Sequence, residues 1–506
     1  MDNVFDYSKF RKNGEFNLWF NAAKQGDAEA QYELGNILYS TGEERDGIEA
    51  LKWFLKSAKK GYAEAQYMLG MNYSNSFFIP FNMKEAMKWF HIAAEQGHME
   101  AQYELGCLYL SQNIIKQNLP EAVKWYSRAA EQGHKDAQFE LASLYENGLG
   151  VKQSFKEAVK WYRKSAEQGH KDAQFFLGLC YKSGDGVKKS IKDAIKWWRM
   201  AADQGHMDAQ FELGFCYDYG VDIKRDMKEA INLYRKAVEQ GQKYAQFFLG
   251  LCYEYGNGVK KSHKEAAKLW RLAADQGHMD AQCELGRLYE NGLGVKKDCA
   301  MALKLYRLSA KQGNADAQAN LGKRYAYGDG VKKDMKEAVK WFRKAAEQGN
   351  AEAQFELGLC YADGEGIESD MKEAIKWYRK SAEQGFARAQ YMLGAHLAFG
   401  DGARKKYKEA VKWFRKAAEQ GILEAQFDVG LCYEIGQGVK KDPNEASKWF
   451  RMAAESGLPE AQLKLGVCYA TGNGVGKDME EAIMWFHKAA EQGNEPAKNI
   501  LKELEA

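Results

Sequence analysis

Proline is nearly missing from this chain, with five residues in 506, too few for a disordered or proline-rich polymer. No run approaches the roughly 18 consecutive apolar residues that a membrane-crossing helix needs. The opening stretch, Met1 to Asn17, mixes acids and bases and lacks the apolar core of a secretory leader. The expected location is therefore the cytoplasm, with export by a leaderless route as the alternative. An excess of one charge is missing as well: 73 basic against 70 acidic side chains leave a formal net charge of +3. Such a balance gives no general reason to expect nucleic acid or a membrane surface as partner.

A disulfide framework is absent too, although there are nine cysteines. Cys180, Cys216, Cys252, Cys360, Cys432 and Cys468 are separated by multiples of 36 residues. Equivalent positions in stacked repeats lie at least about 8–10 Å apart, whereas a disulfide needs Cα atoms within about 7 Å. They read as small buried thiols. Cys283 and Cys299 alone share a repeat, and a reducing compartment keeps them apart.

What is present is a period. The dipeptide Ala-Gln occurs at Ala30-Gln31, at Ala65-Gln66, and then every 36 residues from Ala101-Gln102 to Ala461-Gln462. A degenerate copy, Ala497-Lys498, begins a final half-repeat, and glycine keeps the same beat from Gly26 and Gly61 to Gly493. Each repeat reads as two helices. Ala353, Leu357, Cys360 and Tyr361 share one face of a first helix that stops at glycines 364 and 366. Asp334 with Glu337 forms a capping-box pattern before a second helix carrying Ala338, Trp341, Phe342 and Ala345. An Asp or Ser three residues before an acid recurs at other starts, Asp46 and Asp370 among them, and Pro443 suits a first helical position. All thirteen tryptophans, from Trp19 to Trp485, fall on the second helix or its N-terminal counterpart, where large rings dock on small partners as core.

No repeat can bury its apolar face alone, so neighbours must stack. The division expected is an N-terminal segment and capping helix over 1–26, thirteen repeats over 27–493 (the first of 35 residues, the rest of 36), and a C-terminal capping helix over 494–506. Near-identity among the repeats suggests expansion by duplication and a bacterial source.

The line A-E-A-Q-F-E-L-G-L-C-Y, followed by G-x-G-V and E-A-x-K-W-Y-R-K-A-A-E-Q-G, resembles the Sel-one-like repeat, a relative of the tetratricopeptide repeat. The resemblance covers about residues 15–505. It implies an all-α fold, a right-handed α/α superhelical solenoid of stacked antiparallel helix pairs, and a role as adaptor or scaffold. Members stapled by one disulfide per repeat carry a cysteine pattern that this chain lacks. Departures are few. Ala142 replaces the glycine of the first helix, and Leu233, Leu269 and Leu305 stand where tryptophan is usual, suggesting looser packing. Residues 74–82 replace the G-x-G-V loop, and Phe77, Phe78, Ile79 and Phe81 are expected to pack back onto the helices, with an exposed apolar knob as the alternative.

A catalytic site needs unlike groups converging on one point, yet the polar residues here follow the repeat. His98, His134, His170, His206 and His278 occupy one repeat position and lie too far apart to share a metal. The glycine-rich joints precede helices without the phosphate-loop sequence. Neither a cofactor nor catalysis is expected. The recurrent Val-Lys-Lys, as at 187–189 and 331–333, makes a lysine edge whose alternative use is polyanion or nucleic-acid binding.

The resemblance to tetratricopeptide repeats implies that the first helix lines a concave binding surface, its second, fifth, ninth, twelfth and thirteenth positions facing the ligand. The apolar ladder so defined is densest at Phe175, Leu179, Phe211, Phe215, Tyr219, Phe247, Leu251 and Tyr255. It breaks at Cys283 and Ala319, where Arg287 and Lys323 take the ninth position. The rings either bind a protein or peptide segment with some acidic character, or pack against the neighbouring repeat.

Overall fold

The computed structural model describes residues 7, 14–75, 78–111, 117–400 and 405–505. Among them are 28 α-helices and no strand. The chain divides into two compact units, an N-terminal half Met1–Ala245 and a C-terminal half Gln246–Ala506. The N-terminal half runs from helix Gly14–Gln25 to helix Met227–Glu239, and the C-terminal half from His263–Asp275 to Glu495–Glu505. Helix Lys243–Tyr255 contains the boundary. Within each half every helix packs on the next one in sequence, which is the stacking of helix pairs into a solenoid.

One repeat of the C-terminal half shows why these residues fold so. Asn350 caps helix Ala351–Asp363, its Oδ1 accepting from the Ala353 amide at 2.8 Å. Its Nδ2 meanwhile donates to Asp316 Oδ1 of the preceding repeat at 2.7 Å. Gly358 lies under the ring of Tyr378 so closely that a Cβ would sit 2.6 Å from it; a fully buried ring thus covers bare backbone. The helix ends at Gly364, φ +73°, a conformation that costs an L side chain about 1–2 kcal/mol. The Asp370 amide then donates to the Tyr361 carbonyl at 2.9 Å and closes the loop. Asp370 caps the second helix, Met371–Glu383, through the Lys372 and Glu373 amides.

The Ala-Gln dipeptide has a physical reason. The alanine leaves room for close packing and is fully buried, as at Ala353. The glutamine is a buried double clamp: Gln354 Nε2 donates to the Ala346 carbonyl at 3.1 Å, and its Oε1 accepts from Gln384 Nε2 at 2.7 Å. Eleven such glutamine pairs recur at 2.6–2.9 Å, from Gln96–Gln66 to Gln492–Gln462. The ladder breaks where the second glutamine is missing. Ser456 stands in that place for Gln426, and Lys60, bound to the Gly26 carbonyl, for Gln31. Gln426 Oε1 and Gln31 Oε1 are accordingly buried without a partner.

Several sequence expectations are corrected. The capping box at Asp334 is half formed: Asp334 accepts from the Glu337 amide at 3.0 Å, but the Glu337 carboxylate turns to Lys340 and Trp341 Nε1. Asp46 is no cap, since its helix, Glu44–Lys59, starts two residues earlier. Packing is not loosened at the leucine positions. Leu233 and Leu305 are buried, and beside Leu269 the indole of Trp270 is enclosed, its Nε1 donating to the Phe247 carbonyl at 3.1 Å. In the atypical loop, Phe77 lies outside the described residues. Phe78 meets Tyr39 edge-on at 5.2 Å and Ile79 joins the same core, whereas Phe81 is exposed. All nine cysteines are free thiols, Cys283 and Cys299 included.

Candidate protein-binding face

The fifth-position rings join consecutive repeats. In the N-terminal half, Phe175 is buried and stacks on the His206 imidazole at 4.5 Å. Phe211 stacks on the Tyr244 ring at 5.8 Å, tilted by 30°, and lies near Tyr234 at 6.1 Å. In the C-terminal half, Phe247 stacks on His278 at 4.7 Å. Leu179 and Leu251 are half-buried members of the cores around Trp198 and Trp270. Phe215 packs on Tyr219 at 4.5 Å. Exposure begins at the thirteenth position: Tyr219 is 59%, Tyr255 and Tyr327 66%, and Phe399 72% exposed. The structure therefore brings Phe211, Phe215 and Tyr219 together in one half and Phe247, Leu251 and Tyr255 along one helix of the other, with open apolar surface at the thirteenth-position rings.

The ring-stacking histidines are helix caps. Nδ1 of His98, His134, His170 and His206 each accepts from an amide three residues on at 3.2 Å. The Nε2 atoms of His170 and His206 lie 3.4 Å from Asp136 and Asp172 of the preceding repeats. Burial lowers the pKa of all four imidazoles, which favours the neutral form that a cap acceptor requires.

Arg287 and Lys323 do not offer free positive charge. Arg287 bonds Glu254 at 2.7 Å and Glu284 at 2.8 Å, and Lys323 bonds Glu352 at 2.9 Å. Burial works against the Arg287 charge, but the hydrogen bonds it donates to both carboxylates outweigh it and raise its pKa. The preference for an acidic partner thereby loses its basis.

Sequence reasoning passed over the carboxylates of this face. An acid holds the second position of the first helix in eleven of thirteen repeats, a regularity visible in the period itself. At the sixth position Glu104, Glu140 and Glu356 are pushed above the ordinary carboxylate range by burial. Asp428 is pushed up to about 6 by burial, against a lowering hydrogen bond with Tyr391. Among the described residues no three His, Cys, Asp or Glu side chains group as metal ligands would, and no helix is long and apolar enough to cross a membrane.

Stacked helix pairs with a shared first-helix face define a repeat solenoid. The family model described as Sel1 repeat matches thirteen consecutive segments, from residues 28–62 and 63–98 to 459–494, and the chain belongs to the Sel1 repeat family. It is 40% identical to a protective antigen present in uropathogenic Escherichia coli strains, whose crystal structure displays an SLR fold. That match covers 82% of this chain and 90% of the other, with a TM-score of 0.73. A Sel1 repeat protein from Oxalobacter formigenes is 35% identical over 65% of this chain and 93% of its own, with a TM-score of 0.46. No curated protein matches the chain.

Proposed function

We propose that the protein is a non-catalytic adaptor or scaffold that holds protein partners along its first-helix face, the concave one in the related tetratricopeptide fold. The observation that carries this reading is the row of thirteenth-position rings. Tyr255, Tyr327 and Phe399 remain mostly exposed, whereas the core positions of their helices, such as Leu249, Leu321 and Leu393, are buried. Large apolar side chains left in water at a recurring position supply the aromatic anchors on which protein interfaces depend. A bacterial origin belongs to the same reading, and the free thiols suit a reducing compartment, the cytoplasm.

The test begins with a partner captured by cross-linking in the native organism and identified by mass spectrometry. Its affinity is then measured for the full chain and for two double variants, Phe211→Ala/Phe247→Ala and Tyr255→Ala/Tyr327→Ala. The second pair should weaken binding about tenfold, or about 1.4 kcal/mol, with unchanged helical circular dichroism. Equal affinity for both variants and the parent chain would sink the adaptor reading.

A further inference from the structure

The first-helix face of the C-terminal half carries a charge that the chain as a whole lacks. From Asp280 to Thr471 the second, sixth, ninth and thirteenth positions hold nine acids and four bases, whereas the complete chain has a net charge of +3. Three of the four bases, Arg287, Lys323 and Lys464, are already paired with carboxylates. Glu356 and Asp428 have no cation within ion-pair distance among the described residues; burial raises the pKa of both, against a weaker opposing pull of Lys323 and Arg388 on Glu356. A carboxylate desolvated without a cation in contact is a position where an arriving cation is favoured.

Shape agrees with charge. Cys283 and Ala319 stand where other repeats place a fifth-position ring, and beside them opens a cavity of about 230 Å³ that Glu284, Asp316 and Glu352 line together with Arg287. A second cavity, of about 170 Å³, is lined by Tyr327, Glu356, Leu359 and Asp363, with Lys333 and Glu365 at the adjoining loops. Its wall joins an exposed phenol ring to carboxylates, a pairing that suits an ammonium or guanidinium group through both ring and charge. Phe399 and Ile435 extend the exposed apolar row on the repeats that follow.

We propose that this face docks a polypeptide segment that interleaves basic and apolar side chains, the basic ones entering beside Glu356 and Asp428 and the apolar ones covering Tyr327 and Phe399. The proposal rests on the adaptor reading and names the chemistry of its partner. An acidic segment or a nucleic acid would meet like charge here.

Two synthetic amphipathic peptides test it against the full-length chain by fluorescence anisotropy: one of repeating Leu-Leu-Lys-Lys blocks, and its twin with Glu in place of Lys. The lysine peptide should bind at least about tenfold tighter, with affinity falling as salt rises. Glu356→Gln/Asp428→Asn should remove about tenfold, as should Tyr327→Ala/Phe399→Ala, while Glu383→Gln on the second helix changes nothing. Equal binding of the two peptides, or indifference to Glu356→Gln/Asp428→Asn, overturns the proposal. A native partner that depends on the exposed rings but not on Glu356 and Asp428 would leave the adaptor reading standing and remove the basic segment. If the ring variants change neither peptide nor partner binding, both readings fall.

Discussion

Replacing Ser456 by Gln should repair the glutamine ladder. Gln426 Oε1 is buried and unsatisfied, and a buried acceptor left so costs about 1–3 kcal/mol. The backbone at Ser456, φ −81° and ψ 0°, is close to that of Gln420, φ −90° and ψ 3°, and Gln492, φ −86° and ψ 7°. A glutamine can therefore take the place without strain and donate to Gln426, as Gln420 donates to Gln390 at 2.8 Å. Ordering the new side chain opposes the gain by up to roughly 1.5 kcal/mol, so the middle to upper part of that range leaves about 0.5–1.5 kcal/mol of net stabilisation. A solenoid's stability is a sum of repeat and interface contributions, so the effect is read locally, as hydrogen exchange across 423–471. One kcal/mol slows exchange there about fivefold. Gln420→Ser is the reciprocal variant; it orphans Gln390 Oε1 and should accelerate exchange across 387–435 by a similar factor. Unchanged exchange in both variants would show that the ladder carries no net stability, and the account of the Ala-Gln dipeptide would fail with it.

Two further outcomes follow from the loops and the caps. Gly349 and Gly366 both have left-handed backbones, φ +96° and +75°, but a Cβ at Gly349 meets nothing within 4 Å, whereas one at Gly366 would lie 2.5 Å from the Met335 carbonyl carbon. Gly349→Ala should destabilise by about 1–2 kcal/mol and Gly366→Ala by at least about 1 kcal/mol more, a ranking that urea unfolding checks and that the reverse order would refute. The neutral caps predict a pH dependence. An imidazole whose pKa is lowered by folding binds its proton more readily unfolded, so stability is lost as pH falls through the unfolded value of about 6.5 and levels off below the folded one. The caps should therefore lower the melting temperature between about pH 7.5 and pH 5, against an opposite contribution from buried carboxylates such as Asp428, and Asn at positions 98, 134, 170 and 206, the cap already used at Asn314 and Asn350, should remove the caps' share. An identical pH profile in the fourfold variant would mean that the caps do not carry it.

What the chain determines by itself is the repeat. The Ala-Gln beat, the alternation of two helical faces and the glycines between them are local or periodic properties, and a 36-residue period leaves little freedom once each amphipathic pair must be covered by the next. The family and the helix pairs were legible for that reason. Which way a side chain turns at the join between repeats was not, because a helical wheel carries no record of what lies one repeat further on. By its wheel position Phe175 is equally fit to bind or to pack, and in the structure His206, 31 positions away, stacks on it. Arg287 and Lys323 form a basic step in the sequence, and in the structure Glu254, Glu284 and Glu352 hold them. Charge and exposure on the first-helix face depend on distances across stacked helices, and only the tertiary structure decides those. It closes fifth-position rings such as Phe175 and Phe247 into the joins between repeats and leaves the thirteenth-position rings open.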